Sequence, residues 1–496
     1  MGVMRFAIHP VDQLDNWPEL RRAYVRGFDG RVHPTRVEID GNVMACRRQN
    51  ADSGKLHVPL PIEGFGRPMA STSSSPEREE PYLLLVELAR GKLAQLRDQL
   101  AAWNMAGMDV PDDFPTIMRE SHELLAEAVS IQDDAAEASE IARQSLESSF
   151  RAADILSKSY IAQRLAVRRA RTKHLPASLG CGLGHAPPDP EWEDSFVNAF
   201  NAAIVPIEWR FIEPEEGNYQ WDINDAQVEW CEKNRLLMTA GPLLDLSPEG
   251  LPEWLWQWQH EVLNLQSFVS DFVETAIARY AGRIRFWEVA ARANTGGALA
   301  LSEEDRLSLA ARTLEIAGQV DQDNQLMVRV DQPWGAYQAK GKHRFSPLQF
   351  VDALVRSGVG LSGVNLEVAI GYQPGGCTRR DLLDFSQLID LWSCLQIPLR
   401  VTLAFPSNVQ KDEFARQNQR LDGSGGTSAW SDRMQADFVE NFLPMLMSKQ
   451  VVVGIYWTHI TDAVPHDFPN AGLVRPDGGP KPALDRIIEY RREYWT

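Results

Sequence analysis

Cysteine is scarce in this chain, and the cysteines that occur form no recognisable pattern. Five are scattered through 496 residues, at positions 46, 181, 231, 377 and 394. An odd number of widely spaced cysteines does not predict a disulfide framework, and neither Cys-x-x-Cys nor His-rich spacing indicates a metal site. We therefore expect no metal and no cofactor, and the composition is typical of a protein from a reducing compartment.

An excess of basic residues and long apolar runs are also missing. The formal net charge is −18, whereas a nucleic-acid-binding protein needs a basic face. No run of about 18 apolar residues predicts a membrane span, and the first ten residues lack the apolar core of a secretory signal peptide. We therefore expect a cytoplasmic protein with neither nucleic acid nor membrane as a partner.

Residues 1–80 predict short strands and turns. Residues 35–44 alternate apolar and polar side chains around an Asp-Gly-Asn sequence, which is a hairpin signal. Residues 55–62 are extended, with prolines typical of an edge strand, and residues 64–80 are rich in Gly, Pro and Ser, as in a linker. We predict a β-rich region, for which a small sandwich is one arrangement. Its role stays open between structure, interaction and sugar binding.

Residues 81–175 change to a helical period. Apolar residues recur every three or four positions from Leu85 to Trp103. A second helical stretch begins near Asp113, with a proline in its first turn, and continues to about Thr172. About 60 helical residues would extend roughly 90 Å, which is more than one domain needs. The stretch is therefore broken, folds into a long antiparallel hairpin, or forms a coiled coil that makes the protein a homo-oligomer.

From about residue 176 to residue 496, short apolar strands alternate with helices. This alternation predicts parallel β/α units, and about 320 residues suit one (β/α)8 barrel. The predicted fold class is therefore α/β, a TIM barrel preceded by a small β-rich region and a long helical hairpin.

Two segments of this part carry recognisable motifs. Residues 280–293 have the sequence Y-A-G-R-I-R-F-W-E-V-A-A-R-A, and residues 200–219 have F-N-A-A-I-V-P-I-E-W-R-F-I-E-P-E-E-G-N-Y. They resemble the fourth and second strand segments of family 10 glycoside hydrolases, the endo-β-1,4-xylanases. The family patterns are R-Y-x-G-x-I-x-x-W-D-V-V-N-E-A and F-N-x-x-T-x-E-N-x-M-K-W-x-x-I-E-P-x-x-G-x-F. Further matches lie between and after these segments, in the family's order up to residue 483, so the resemblance covers the predicted barrel and none of the first 175 residues.

The resemblance implies a retaining glycosidase, but the residues that this chemistry needs are replaced. A retaining enzyme uses two carboxyl groups about 5–5.5 Å apart, one as acid/base and one as nucleophile. The family's acid/base Glu corresponds to Arg292, and its nucleophile Glu corresponds to Leu403. Arginine is not deprotonated in proteins, and leucine cannot attack a sugar. The comparison of motifs therefore predicts that the standard mechanism is lost.

A relocated pair of carboxyl groups would still permit hydrolysis. Glu367 and Asp331, both at predicted strand ends, are the fallback catalytic candidates, and the protein would then be an active O-glycosyl hydrolase on a β-glycan. The alternative is that these acids pair with Arg292, Arg329 and Arg400, since a buried arginine needs a carboxylate.

Loss of catalysis leaves carbohydrate binding or scaffolding as the function. Trp209 and Trp457 are the candidate platforms on which sugar rings would stack, and Glu208, Arg292 and Glu367 are the other candidate binding residues. The partner would be a β-linked oligosaccharide or polysaccharide. A third hypothesis is an assembly protein that forms homo-oligomers through residues 81–175.

Overall fold

The computed structural model describes residues 2–11, 17–341, 343–416, 418–422 and 430–496. Along the chain, a β-rich region is followed by a group of helices and then by a closed barrel. Among the described helices, none has a stretch that is both long and apolar enough to cross a membrane.

The β-rich region contains two sheets of short strands. Its strands, in the described residues, are β1 (Gly2–Ala7), β2 (Tyr24–Gly27), β3 (Val32–His33), β4 (Arg36–Asp40), β5 (Val43–Arg48), β6 (Gly54–Pro59), β7 (Met69–Ser71) and β8 (Tyr82–Leu83). One sheet has the order β4–β5–β1–β8 and the other β3–β2–β6–β7. The hairpin signal at residues 35–44 corresponds to the antiparallel pair β4 and β5. Met4, Val25 and Leu56 belong to one apolar cluster that both sheets share.

The helical part consists, in the described residues, of α1 (Leu84–Met105), α2 (Phe114–Ser130) and α3 (Ala135–Arg171). The long stretch expected from Asp113 onwards is broken before α3, where the side chain of Asp134 accepts a hydrogen bond from the backbone N–H of Glu137 at 3.1 Å. Small residues bring α2 and α3 close together, since Ser121 Oγ lies 2.6 Å from Ser149 Oγ. The helices therefore form a compact group rather than one extended rod.

The barrel is closed by eight parallel strands among the described residues. The strands of this part are β9 (Ser178–Gly182), β10 (Ala202–Val205), β11 (Leu237–Ala240), β12 (Leu244–Asp245), β13 (Phe286–Ala291), β14 (Gln325–Asp331), β15 (Leu361–Ala369), β16 (Tyr372–Gln373), β17 (Leu399–Ala404), β18 (Arg420–Leu421) and β19 (Val452–Trp457). The order around the barrel is β9–β10–β11–β13–β14–β15–β17–β19, and β19 pairs with β9 again. The short β12 lies beside β13, and β16 and β18 form a separate antiparallel pair. The predicted (β/α)8 barrel is confirmed.

Helices surround these strands and begin at local sequence signals. They are α4 (Pro190–Ala199), α5 (Trp209–Ile212), α6 (Asp222–Lys233), α7 (Val262–Arg279), α8 (Glu303–Val320), α9 (Pro347–Ser357), α10 (Leu382–Ser393), α11 (Asp432–Ser448) and α12 (Pro482–Tyr494). Ser302 begins α8 and Ser346 begins α9 with reciprocal side-chain and backbone hydrogen bonds to the third helical residue. Such caps satisfy backbone N–H groups that a helix leaves unpaired at its start.

The β-rich region lies against loops at the carboxyl ends of the barrel strands. The backbone N–H of Thr35 donates to Ala339 O at 3.0 Å, and that of Met69 donates to Arg379 O at 2.9 Å. Arg22 pairs with Asp422 at 3.0 Å. Because the carboxyl ends of the strands meet at one mouth of a barrel, where side chains of different strands converge, the β-rich region is placed beside that mouth.

Candidate functional site

Arg292 lies at the centre of the barrel mouth, directly after β13. Its Nε and Nη2 donate to Glu367 Oε1 at 3.0 Å and Oε2 at 2.8 Å. Its Nη1 donates to Asp245 Oδ2 at 3.1 Å, and its Nη2 also donates to Asp467 Oδ2 at 2.7 Å. Arg292 is only 6% exposed. Burial opposes its charge, but the carboxylates of Glu367, Asp467 and Asp245 prevail and raise the pKa of Arg292.

The backbone of Arg292 has a φ of 54°, in the left-handed region that costs a residue with a Cβ about 1 kcal/mol or more. Its N–H donates to Arg329 O at 3.0 Å, and its carbonyl accepts from the N–H of Gly296 at 2.8 Å. The chain therefore leaves β13 in a hydrogen-bonded turn. We attribute the stability of this left-handed conformation to the hydrogen bonds of the turn and to the contacts of the Arg292 side chain.

Two further arginines extend the ion pairs outwards from Arg292. Arg416 Nε contacts Asp467 Oδ1 at 2.6 Å, and its Nη2 contacts Asp245 Oδ2 at 3.3 Å. Arg210 Nη2 lies 3.7 Å from the same Oδ1 of Asp467. Although burial opposes ionisation of Asp467, the three arginines hold its pKa well below the usual range. Asp467 is therefore a carboxylate shared by three cations.

Glu208, a candidate binding residue, is buried in the same network. Its Oε1 lies 3.2 Å from His185 Nε2, and its Oε2 lies 3.0 Å from Arg210 Nη2. Burial raises the pKa of Glu208, but Arg210 and His185 outweigh it and the net shift is downwards. Glu208 is thus ionised and already engaged with protein groups.

Below the mouth, a second set of polar contacts fills the barrel interior. Arg329 pairs with Glu288 and lies 3.4 Å from Glu367 Oε2. Asn365 donates to Glu288 and, at 2.8 Å, to Thr402 Oγ1. Glu288 is therefore a structural residue deep in the barrel, and Glu367 connects this inner set to Arg292.

The predicted pairing of acids with arginines is found for Arg292 and Arg329 but not for Arg400. Arg400 Nη1 donates to Thr239 Oγ1 at 2.6 Å, and its guanidinium lies 4.5 Å from the ring centroid of Phe286. It is an early residue of β17, far along the strand from the mouth, so the acids at the strand ends are not its partners.

Asp331 differs from the other acids at the mouth, because its hydrogen-bond donors are neutral. Its Oδ1 accepts from Thr295 Oγ1 at 2.8 Å, and its Oδ2 accepts from Gln332 Nε2 at 3.3 Å. Burial, followed by the nearby charge of Glu367, raises the pKa of Asp331 to about 6. Asp331 and Glu367 are register partners on β14 and β15, so the predicted carboxyl pair is brought together, but Glu367 is held by Arg292.

Leu403, which corresponds by motif to the nucleophile, faces away from the barrel interior. It packs with Val439 and Leu443 of α11 in the apolar layer between strands and helices. Because successive side chains of a strand face opposite sides, the interior position at the end of β17 belongs to Ala404, which clusters with Phe468. Neither position carries a carboxylate.

Trp209 and Trp457 do not form the expected sugar platforms. Trp209 is 1% exposed, stacks on Phe272 at 4.9 Å and donates from Nε1 to Glu213 at 2.6 Å. Trp457 is buried and donates to Ala471 O at 2.7 Å. Both rings belong to the apolar core of the barrel, because they lie against the layer of helices that surrounds its strands. Trp256, which the sequence analysis did not single out, is 41% exposed in the turn at 253–258 that follows β12.

Sequence reasoning also missed Arg210, Arg416 and Asp467. The last two belong to loops after β17 and β19, and Arg210 lies in the short α5 after β10. None of them occupies a strand-end position of a recognised motif. The only available signal was the presence of charged residues in loops that follow barrel strands, and such residues are common in solvated loops.

A histidine cluster beside the mouth has metal-like spacing. Ligand atoms of His459, Asp462 and His466 all lie within 4.8 Å of one another. However, Lys481 Nζ lies 2.6 Å from Asp462 Oδ2, and His466 Nε2 lies 3.0 Å from Asp412 Oδ2. The lysine therefore supplies a cation beside Asp462, and the arrangement is explained by ion pairs within the chain.

Residues 197–301 match the family model described as glycosyl hydrolase family 10. A stretch of 85 residues is 28% identical to endo-1,4-beta-xylanase B of Thermotoga neapolitana, and it covers 17% of this chain and 23% of that enzyme. The chain thus spans less than a quarter of the length of this curated relative.

Similar solved structures include native xylanase 10B from Thermotoga maritima, with 16% identity and a TM-score of 0.48 over 66% of this chain and 98% of that one. Xylanase 10B from Thermotoga petrophila in complex with xylobiose has 16% identity and a TM-score of 0.47, over 64% and 95% of the two chains. The family match covers the segments from β10 to β13, where the sequence motifs were found. Residues 197–301 are therefore similar to glycosyl hydrolase family 10, and the barrel that contains them is xylanase-like.

Proposed function

We propose that this xylanase-like barrel has lost the standard retaining mechanism and acts as a scaffold. The observation that carries the proposal is the contact of Arg292 with Glu367, Asp245 and Asp467. A retaining glycosidase needs two free carboxyl groups facing a sugar-sized space. Here the described side chains fill the centre of the mouth with ion pairs, and the carboxylates are neutralised by arginines.

The energetic cost of opening this mouth supports the same proposal. Removing one partner of a buried ion pair costs about 3–5 kcal/mol, because an uncompensated charge is left behind. A sugar that displaced the side chain of Arg292 would leave the carboxylates of Glu367 and Asp245 without this partner. Hydroxyl groups of a sugar carry no charge to replace the guanidinium, so sugar binding at the centre of the mouth is unfavourable.

The scaffold would hold the β-rich region and the helices in a defined position. Lys92 of α1 pairs with Asp381 at the start of α10, and both side chains are buried. Gln95 donates to Gln387 of α10 at 2.8 Å. Arg168 near the end of α3 donates to Met447 O at 2.5 Å. These contacts support a single assembly in which the barrel is the base. The cytoplasmic location predicted from the sequence is part of this proposal.

Two alternatives have a specific observation in their favour. The exposed ring of Trp256 would suit a carbohydrate-binding surface for a β-linked glycan, outside the filled centre. The raised pKa of Asp331, about 6, would suit a general acid of a rewired hydrolase, since an effective acid has a pKa near the working pH. Oligomerisation through residues 81–175 remains a prediction, and the apolar residues Leu96 and Leu156 of these helices already pack within the chain.

A screen of xylo-oligosaccharides and other β-glycans, scored for binding and for release of reducing ends, tests the proposal. Scaffolding predicts neither binding nor release. Release that is abolished in Asp331→Asn or Glu367→Gln but kept in the surface control Asp352→Asn would overturn the proposal in favour of a hydrolase. Binding without release, lost in Trp256→Ala, would favour the carbohydrate-binding alternative instead.

A further inference from the structure

A cleft of about 190 Å³ lies where the β-rich region, α3 and the barrel meet. Its walls come from the loop at 64–68, from Asp154 and Lys158 of α3, from residues 379–382 at the start of α10, and from residues 441 and 442 of α11. None of these residues belongs to the ion pairs of the barrel mouth. The cleft is therefore a separate feature, and each of the three parts of the chain contributes to it.

The guanidinium of Arg379 carries an unpaired charge in this cleft. Among the described residues it forms no salt bridge, and Asp437 acts on it only at longer range. Burial removes water from the guanidinium, which lowers the pKa of Arg379. The side chain is only half-buried, so an anion in the cleft can reach its guanidinium and supply a charge partner.

The guanidinium of the neighbouring Arg380 is engaged with other residues of the protein. Its Nη1 pairs with Asp384 at 2.8 Å and its Nη2 donates to Tyr24 Oη at 3.1 Å. Its Nε is buried and has no hydrogen-bond partner within the described part of the chain. That atom has almost no accessible surface, so Arg379 is the arginine of this pair that an acceptor from outside the chain can reach.

The acidic residues of the cleft are already occupied. Asp154 Oδ2 lies 2.8 Å from Lys158 Nζ, and Asp381 pairs with Lys92. The charge that remains after these pairs is positive. The cleft therefore favours an anion, and it offers no free carboxylate that would favour a cation.

Aromatic and aliphatic side chains supply the rest of the surface. Phe65 and Pro68 come from the β-rich region, and Leu382 and Phe442 come from the barrel helices. An engineered cavity of about 150 Å³ is known to hold benzene, so a cleft of about 190 Å³ has room for a ring and an attached charged group.

We infer that this cleft binds a small organic oxyanion, a carboxylate or a phosphate on a ring-sized apolar body, with Arg379 as its principal contact. The planar guanidinium of arginine donates two parallel hydrogen bonds to either anion. The apolar body contacts Phe65 and Phe442. Because the walls come from the β-rich region, α3 and the barrel, the bound anion stabilises the contact of all three parts.

Calorimetric titration and thermal unfolding of the full chain with benzoate, phenyl phosphate and inorganic phosphate test the inference. We expect at least one of the two ring-bearing probes to bind and to raise Tm with concentration, as any ligand of the folded state does. Tighter binding of benzoate identifies a carboxylate ligand, and tighter binding of phenyl phosphate identifies a phosphate ligand. Inorganic phosphate, which lacks the apolar body, binds at least tenfold more weakly.

Two variants separate binding from folding. Arg379→Gln weakens both ring-bearing probes at least tenfold, and its Tm without ligand is equal to or above that of the wild type, because a half-buried charge that forms no salt bridge with the described residues is removed. Arg356→Gln, at an exposed arginine of α9, leaves binding unchanged. Should Arg379→Gln fail to fold, Phe442→Leu weakens the ring-bearing probes and leaves inorganic phosphate unaffected. The inference is overturned if no probe binds at millimolar concentration, if inorganic phosphate binds as tightly as phenyl phosphate, or if affinity survives Arg379→Gln.

Discussion

Arg292 donates to both carboxylate oxygens of Glu367, at 3.0 and 2.8 Å, across the mouth of the barrel. Arg292 directly follows β13 and Glu367 lies on β15, and β14 separates these two strands in the sheet. A bidentate contact of this kind fixes both side chains, since two parallel hydrogen bonds set distance and orientation together. The contact thus lies at the carboxyl end of the barrel strands, the end at which TIM-barrel enzymes have their active sites.

Replacement of Arg292 by leucine should destabilise the protein strongly. Glu367, Asp245 and Asp467 would then lose this shared cation, and the loss of one partner from a buried ion pair costs about 3–5 kcal/mol. Urea unfolding at neutral pH measures the change. The matched control Arg356→Leu removes an arginine that is exposed on α9 and should change stability by about 0.5 kcal/mol or less. Equal, small effects of both variants would show that the ion pairs at the mouth contribute little.

Asp331 should make the wild type less stable as pH rises. Its pKa in the folded protein is about 6, above the ordinary 3.8. The folded state therefore holds this proton more tightly than the unfolded state does, and the resulting stabilisation is complete below about pH 4 and lost as pH passes 6. A shift of about two units corresponds to about 3 kcal/mol.

The side chain of the variant Asp331→Asn is neutral at every pH in this range, like the protonated aspartic acid. The stability of the variant relative to the wild type should therefore rise between pH 4 and pH 7. Urea unfolding at several pH values gives the difference. Thr295→Val provides a matched comparison, because the hydroxyl of Thr295 lowers the pKa of Asp331 and its removal should move the effect to higher pH. A difference between wild type and Asp331→Asn that does not vary with pH would contradict the assignment.

The ion pair of His466 with Asp412 should stabilise the protein at low pH, and this stabilisation should be lost as pH rises. Burial disfavours its charge, but the hydrogen bond and the charge of Asp412 prevail and raise the pKa of His466 above the ordinary 6.5. Its contribution is therefore complete below about pH 6.5 and is lost as pH rises through the raised value. The stability difference between wild type and His466→Gln should shrink on going from pH 6 to pH 8, and an NMR titration of the imidazole would report the shift directly. A midpoint at or below 6.5 would contradict the ion pair with Asp412.

Leu403→Ala should cost about 2–5 kcal/mol, as is usual for a leucine removed from a packed interior. Leu403 packs against Val439 and Leu443 of α11. Val409→Ala, at an exposed position in the next loop, should change stability by about 0.5 kcal/mol or less. A loss below about 1 kcal/mol for Leu403→Ala would contradict the packing of this side chain against α11.

The candidate site could be predicted from the sequence only in part, and the reason lies in the distance between its members along the chain. Asp331 and Glu367 were recognised because one ends a barrel strand and the other lies near the end of the next, and register pairing of β14 with β15 brings them together. Asp467 and Arg416 come from loops after β19 and β17, and no local pattern predicts that they reach Arg292. The outward direction of Leu403 was also missed, since a motif aligned without register does not show which side of the strand a residue faces.

By itself, the sequence determined the barrel and its xylanase-like type. The alternation of strands and helices, the helix caps and the frame of glycines, prolines and tryptophans depend on residues that are close together along the chain. Such local features can be recognised in a single sequence. Only the tertiary structure decided that Glu367 is bound by Arg292, that the rings of Trp209 and Trp457 are buried, and that Arg379 lines a cleft and forms no salt bridge with the described residues. The physical reason is that burial and ion pairing depend on which distant segments meet when the barrel closes and the first 175 residues pack against it.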